Sequence, residues 1–317
     1  MQPSARATVI IPTHNHAYTI DLAIESVLNQ TIDDLELIIL GDGVDDATRA
    51  VVDPYWRTDS RIRFMDLPKG PSHGEEYRNA AVQAASAPIV GYLCDDDLFF
   101  PEHVEDMCKL LEDHDFAHSL NGYFRPDGSF DPYPADIGDP ENIVWHMRPG
   151  RNGVSLTGAF HTKEAFARLS RQWHVPEDPA AMIDHAMWRE FFAQPWLRAA
   201  TSHRVTTVQL PSHLDGRVQW SREERRRELE YWAQRVADPS ARAQMHEAVI
   251  AGFGKYSARV AVDLGVCEDT RDDLARQLAA MTADRDAILA HYSAPSAEEI
   301  LEVVPEPRRR SWWRRRS

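Results

Sequence analysis

Ile89-Val90-Gly91-Tyr92-Leu93-Cys94-Asp95-Asp96-Asp97-Leu98-Phe99-Phe100-Pro101 is the stretch from which the rest of the chain is read. Ile89 to Leu93 is an apolar run of strand length, and strands covered on both faces are hydrophobic throughout. It delivers three adjacent carboxylates to its C-terminal end, then an apolar patch and a proline able to open a helix. Three like charges side by side are costly at the end of a buried strand. A divalent cation removes that cost, and hard oxygen ligands suit Mg²⁺ or Mn²⁺. The C-terminal ends of strands are also where open α/β sheets bind ligands. A plainer reading makes the aspartates a helix N-terminus, Asp97 capping and its neighbours favouring the dipole.

Upstream, Ala7–Ile11 is a short apolar strand closed by Pro12-Thr13-His14-Asn15-His16. Ile20, Ala23, Ile24, Val27 and Leu28 keep helical spacing behind a cap at Thr19 or Asp21. Leu35–Leu40 is the second strand, ending in a Gly41-Asp42-Gly43 turn, and Asp45-Asp46 lead a helix over Ala47–Val52. Arg61–Leu67 is a third strand, residues 69–74 a loop and Glu75–Ser86 an alanine-rich helix. This alternation predicts a doubly wound, mostly parallel α/β sheet. Downstream, a helix is expected over Glu102–His114, a strand over Phe116–Phe124 and a hairpin turn at 125–128. Residues 131–153, rich in Pro, Gly and Asp, read as a long loop, a length that is usually functional. Strands over Val154–His161 and within Arg198–Leu210 alternate with helices over Lys163–Ser170 and Asp184–Ala193. Helices over Ser221–Ala237, packed through Leu229, Trp232 and Val236, and over Ala241–Leu264 complete the body.

At 317 residues the chain can bury a large core, and 43% hydrophobic with 27% charged residues is ordinary for a soluble protein. The net charge is −15, but the last ten residues hold six arginines and no acid, so residues 1–307 carry −21. A body that acidic is a poor binder of nucleic acid, which is held through its phosphates. Cys94, Cys108 and Cys267 are odd in number and widely spaced, which fits a reducing compartment and no disulfide framework. No stretch has the ~20 apolar residues of a membrane span, and the N-terminus does not read as a signal peptide, so a cytoplasmic protein is expected. Glu268–His291 is amphipathic through Leu274, Leu278, Met281, Ile288 and Leu289, a surface or oligomerisation helix. Residues 293–307 read as an acidic linker. The tail at 308–317 pairs arginines with Trp312-Trp313, which suits peripheral contact with the inner face of a membrane. It equally reads as a disordered end, or as an arm on the acidic body.

Four motifs in order now carry a resemblance: Val9-Ile10-Ile11-Pro12-Thr13-His14-Asn15, Glu36 to Gly43, Arg78-Asn79-Ala80, and Tyr92 to Pro101. Together they resemble family 2 nucleotide-sugar glycosyltransferases, over residues 7–215. The resemblance implies a GT-A fold in residues 1–220, with a nucleotide-binding half (1–101) and an acceptor half (102–220), a helical extension over 221–292 and a tail over 293–317. It implies an inverting, metal-assisted transfer of a sugar from a nucleoside diphosphate, a UDP-sugar above all, to a glycan, lipid-linked or protein acceptor. Asp95, Asp96 and Asp97 would hold the Mn²⁺ or Mg²⁺, with Asp96 best aligned to the family's metal-binding aspartate. Pro12, Thr13, His14, Asn15, Asp42, Arg78 and Asp95 would bind the nucleotide.

An inverting transfer needs a base for the acceptor hydroxyl's proton. Ile183-Asp184-His185 resembles the family's second acidic motif, which puts the base on Asp184, with His185 or Glu177-Asp178 as substitutes and a helix N-cap as the plain reading. Gly158, Ala159 and His185 resemble the acceptor-lining residues, and His203 or His213 could complete the metal shell. Three positions depart from the pattern: Gly41 and Cys94 stand where the family has aspartate, and Ile183 where it has glutamate. A non-catalytic module on the same sheet is the rival reading. A nucleotidyltransferase is disfavoured, because Pro12 to His16 offers neither glycine nor lysine for a triphosphate.

Overall fold

The computed structural model describes residues 5–291 apart from residues 134, 179 and 180. The linker and tail readings over 293–317 fall outside those residues. The first half alternates: β1 (Ala7–Thr13), α1 (Ile20–Leu28), β2 (Leu35–Asp42), α2 (Asp46–Thr58), β3 (Ile62–Leu67), α3 (Glu75–Ala84) and β4 (Ile89–Tyr92). Next come β5 (Leu98–Phe99), α4 (His103–Leu110), β6 (Phe116–Ser119), β7 (Asn121–Phe124), β8 (Phe130–Tyr133) and α5 (Pro140–His146). The chain continues through β9 (Ala159–Thr162), α6 (Lys163–Ala167), α7 (Ile183–Phe192), β10 (Ala199–Ser202), β11 (Thr207–Val208), α8 (Arg222–Ala237) and α9 (Pro239–His291).

Seven strands form one sheet in the order β10-β6-β9-β4-β1-β2-β3. All its pairings are parallel except those of β9, which runs antiparallel between β4 and β6. Side chains alternate across the sheet as the two-residue strand period requires. Val9, Ile11, Leu37 and Ile39 face one core, while Ile10, Ile38, Leu40, Val90 and Tyr92 face the other. Gly91 is needed on β4 because a Cβ there would lie 2.2 Å from the Phe160 ring of β9. β1 sends its chain to β2 on one side and pairs with β4 on the other, so the order reverses between β1 and β4. Such a switch point opens a crevice beyond the strand ends. It opens where Thr13, Asp42 and the three aspartates emerge.

Several sequence expectations change. The strand expected over Phe116–Phe124 is two strands, because the chain leaves the large sheet at Leu120 and pairs as a β7–β8 hairpin. The loop expected over 131–153 holds the end of β8 and α5, whose Asp139 side chain caps the first turn through the Glu141 N–H at 2.9 Å. Proline and glycine there mark the ends of short elements rather than a structureless segment. α2 runs through Pro54 to Thr58, well beyond Val52, and α9 is one helix where two were expected. The described residues form two compact units divided after Tyr256. The first takes in α8, whose Leu229, Trp232 and Val236 join Leu98 and Phe100 in a third core. No helix among the described residues is long and apolar enough to cross a membrane.

Three buried histidines make the body acid-sensitive. Burial lowers the pKa of His103 and of His118 to about 3 and that of His161 to about 4. Each is neutral when folded while the unfolded chain takes up a proton below its ordinary value of 6.5. Their contribution is therefore complete above pH 6.5 and is lost as pH falls towards the folded values. His103→Gln removes one of these groups and keeps a partner for the Thr206 hydroxyl, 2.7 Å from Nδ1. Between pH 7 and pH 5 the wild type should lose about 2 kcal/mol more stability than the variant. Urea denaturation at the two pH values measures the difference; equal losses would mean that His103 is not held neutral.

Candidate active site

Two clefts meet at the ends of β1, β2 and β4. The first, about 240 Å³, has Pro12, Thr13, His14, Asp42, Arg78, Asp95 and Asp96 in its walls. The second, about 690 Å³, is bounded by Asp97, Tyr123, Tyr133, Asp184 and His213 among others. Cys94 and Asp96 line both. The aspartate triplet therefore stands on the boundary between two compartments.

Strand ends and local hydrogen bonds set the first cleft. The His14 Nδ1–H donates to the Asp42 carbonyl at 2.7 Å, which holds the ring across the mouth of β2. The Asp42 carboxylate accepts from Lys69 Nζ at 2.7 Å and from the Gly70 N–H at 2.6 Å, tying down the loop over 69–74. Gly41, where the family has aspartate, has the Phe64 ring of β3 3.0 Å from where its Cβ would sit, so a larger side chain would have to displace that ring. Asn15 lies outside the cleft lining: its Oδ1 accepts from the Asp45 N–H at 2.9 Å and steadies the turn into α2. Lys69 and His16 line the cleft although the sequence reading passed over both. Lysine in a Gly-Pro loop was a signal that could have been used.

Arg78 is the most unusual group. α3 turns Glu75, Arg78 and Val82 inward at helical spacing. Asn79 exchanges two hydrogen bonds with the Trp173 backbone, at 2.8 and 2.9 Å, and so pins the indole on which the Arg78 guanidinium lies at 4.6 Å. Arg78 is only 6% exposed, its Nε has no hydrogen-bond partner, and among the described residues no carboxylate forms an ion pair with it. Burial lowers its pKa against the opposing pull of Cys94 and Glu75. An uncompensated buried cation is costly. It lines the first cleft, where an anion would supply the missing charge. The buried, unpartnered Thr13 hydroxyl offers a further polar contact in the same cleft.

The three aspartates do different things. Asp95 turns to His16, whose Nδ1 is 2.6 Å from Oδ1. Burial by itself would lower the His16 pKa, but this hydrogen bond and the charges of Asp95 and Asp96 outweigh it and raise it. Asp96 meets Arg225 of α8 at 2.8 Å. Asp97 accepts from the Thr157 hydroxyl at 2.5 Å and from the Leu210 N–H at 2.9 Å. Burial, and then the charge of Asp96, push its carboxyl well above the usual carboxylate range. The ligand atoms that gather are those of Cys94, Asp96 and Asp97, within 4.8 Å of one another, with Asp95 outside the group. The two carboxylates suit a hard divalent ion such as Mn²⁺ or Mg²⁺, whereas the sulfur is a softer ligand and burial pushes the Cys94 thiol towards its neutral form.

Asp184 is on the first turn of α7, facing the second cleft. Burial raises its pKa, against the lowering effects of the His185 N–H at 2.8 Å and the Arg78 charge. A carboxylate poised above its ordinary value is a better base at neutral pH. Gly158, Ala159 and His185 do not line either cleft. Gly158 turns the chain into β9 at φ +89°, Ala159 is buried in the sheet, and His185 Nε2 is spent on the His146 carbonyl at 2.6 Å. Residues 152–155, just upstream of Gly158, contribute Asn152, Gly153 and Ser155 to the second cleft instead. His213 lines it as well, whereas His203 is exposed and bonds Asp136 at 3.0 Å. Glu177 is also exposed, 3.6 Å from Arg171.

The sequence model of Glycosyl transferase family 2 matches residues 8–172, more than half of the chain and the whole of the first cleft. The chain belongs to that family. Chondroitin synthase and hyaluronan synthase of Pasteurella multocida are each 36% identical to it over 188 residues, 58% of this chain. Those residues are only 18% of either synthase, so the chain spans less than a fifth of the length of these relatives. A mannosyltransferase from Pyrobaculum calidifontis, solved with GDP-Man and Mn²⁺, is 18% identical with a TM-score of 0.48, covering 84% of this chain and 81% of that one. In the family-2 chain described here, the matched region ends one residue before Trp173. Asp184, His213 and Arg225 all lie beyond it.

Proposed function

We propose that this glycosyltransferase moves a sugar from a UDP-sugar to an acceptor hydroxyl with inversion. The donor's diphosphate lies in the first cleft and the acceptor in the second. The observation that carries the reading is Arg78, a buried guanidinium without a carboxylate partner in the cleft that Asp96 closes. A diphosphate supplies the missing charge, and charge-assisted hydrogen bonds to phosphate are strong. Pro12, Thr13, His14 and Asp42 surround the nucleoside. Asp96 and Asp97, with Cys94 or Asp95 beside them, hold a divalent cation, which when bound neutralises charge on the departing diphosphate. Asp184 takes the acceptor's proton across the second cleft, and His213 is the histidine placed to reach the cation site. Glycan chains such as those named for the Pasteurella synthases suit the larger cleft, where Tyr123 and Tyr133 offer aromatic faces.

Linked stabilisation tests the reading. A hundredfold excess over Kd contributes about 2.7 kcal/mol. For a body of this size that is a rise in melting temperature of roughly 5–10 °C. UDP with Mn²⁺ is expected to give it, and UDP alone a smaller one. A flat response to UDP-, GDP- and other nucleoside diphosphate sugars with Mn²⁺ would leave the protein as a binding module on the same fold.

A further inference from the structure

We propose that Arg225 is the resident counter-ion of the aspartate cluster, holding Asp96 at the boundary of the two clefts until a divalent cation takes its place. This deepens the cation reading above and rests on it. Each aspartate of the triplet is compensated differently: Asp95 by a histidine, Asp97 by two neutral donors, Asp96 by Arg225. Of the three, Asp96 is the one that lines both clefts and belongs to the group able to hold a metal. A guanidinium on its carboxylate occupies ground that a bound cation needs, and two like charges cannot share one carboxylate oxygen without repulsion.

The helix that brings Arg225 is firmly placed. Ser221 and Glu224 form a capping box at the start of α8. One turn on, Arg226 clasps both oxygens of Asp21 at 2.9 Å and the Tyr18 carbonyl at 3.0 Å. Arg217 likewise grips both oxygens of Glu228, at 2.6 and 2.8 Å. Arg225 differs. A single nitrogen, Nη2, makes both its contacts, 2.8 Å to Asp96 and 3.1 Å to the Leu210 carbonyl. The Leu210 N–H in turn bonds Asp97, so Arg225 closes a ring that keeps both carboxylates side by side. The bidentate arginines are structural clasps, whereas one single-nitrogen contact can be exchanged without releasing the helix.

Mn²⁺ binding to the 317-residue chain, followed by loss of the free-ion EPR signal, tests this. Arg225→Gln is expected to bind Mn²⁺ at least tenfold more tightly than the wild type, and Arg226→Gln to stay within twofold. A merely structural arginine would weaken binding when removed. Equal or weaker binding by a folded Arg225→Gln overturns the proposal and leaves the cation reading intact; no binding by either protein ends both. Should Arg225→Gln not fold, the wild type answers alone, with Arg225→Lys used only to assign the Arg225 side-chain N–H resonance. Saturating Mg²⁺ is expected to shift that resonance and leave that of Arg226 in place. An unmoved Arg225 signal under saturating Mg²⁺ refutes the exchange.

Discussion

Asp184→Asn is expected to lower turnover by a factor of about 10²–10⁴, the usual contribution of a positioned general base. Affinity for UDP with Mn²⁺ should stay within twofold, because Asp184 lines the second cleft and not the first. The variant keeps the acceptor oxygen for the His185 N–H, so α7 starts as before. The wild type should carry an acid limb in kcat/KM. Activity falls as pH drops through the Asp184 pKa, which burial holds above the ordinary carboxylate value. The variant should lose that limb. Steady-state rates across pH, with UDP binding by calorimetry, check both parts. A variant within tenfold of the wild type would pass the role to another group of the second cleft.

Arg78→Met should move binding and stability in opposite directions. The lost charge-assisted hydrogen bonds are worth about 1.5–3 kcal/mol, so UDP should bind roughly 10- to 100-fold more weakly. The folded protein without ligand should gain about 1–3 kcal/mol, because a buried cation lacking a carboxylate is replaced by an apolar chain of similar length. Methionine can keep the packing on Trp173, which Asn79 holds in place independently. Urea denaturation and UDP calorimetry on the same preparation give the two numbers. If Arg78→Met destabilises the free protein, the guanidinium is a structural member of the core, and the anion site must be sought elsewhere. A cation kept at a loss in stability is what a binding group looks like.

The alternation of apolar runs and turns from Ala7 to Pro101 was enough to reach the parallel sheet, because strands buried on both faces carry an unmixed hydrophobic pattern, whereas its switch point needed the strand order. The order of four motifs was enough to reach the family. Residues 102–220 were harder to read. Its strands have only two to four residues, too short for a period to show, and β9 runs against its neighbours. Proline and glycine over 131–153 likewise concealed a hairpin strand and α5.

Sequence by itself determined that three carboxylates stand at the end of a buried strand, and that a base candidate follows near residue 184. Only the tertiary structure decided which partner each carboxylate takes. Asp95 finds His16 from the β1–α1 loop, Asp97 finds Thr157 and Leu210, and Asp96 finds Arg225, 129 residues away. It also left Arg78 without a carboxylate ion-pair partner among the described residues and put Cys94 among the gathered ligand atoms. The reason is physical. Strand and helix periods are local and leave a mark within a dozen residues, whereas the compensation of a buried charge is settled by whichever side chain the fold carries within about 3 Å of it.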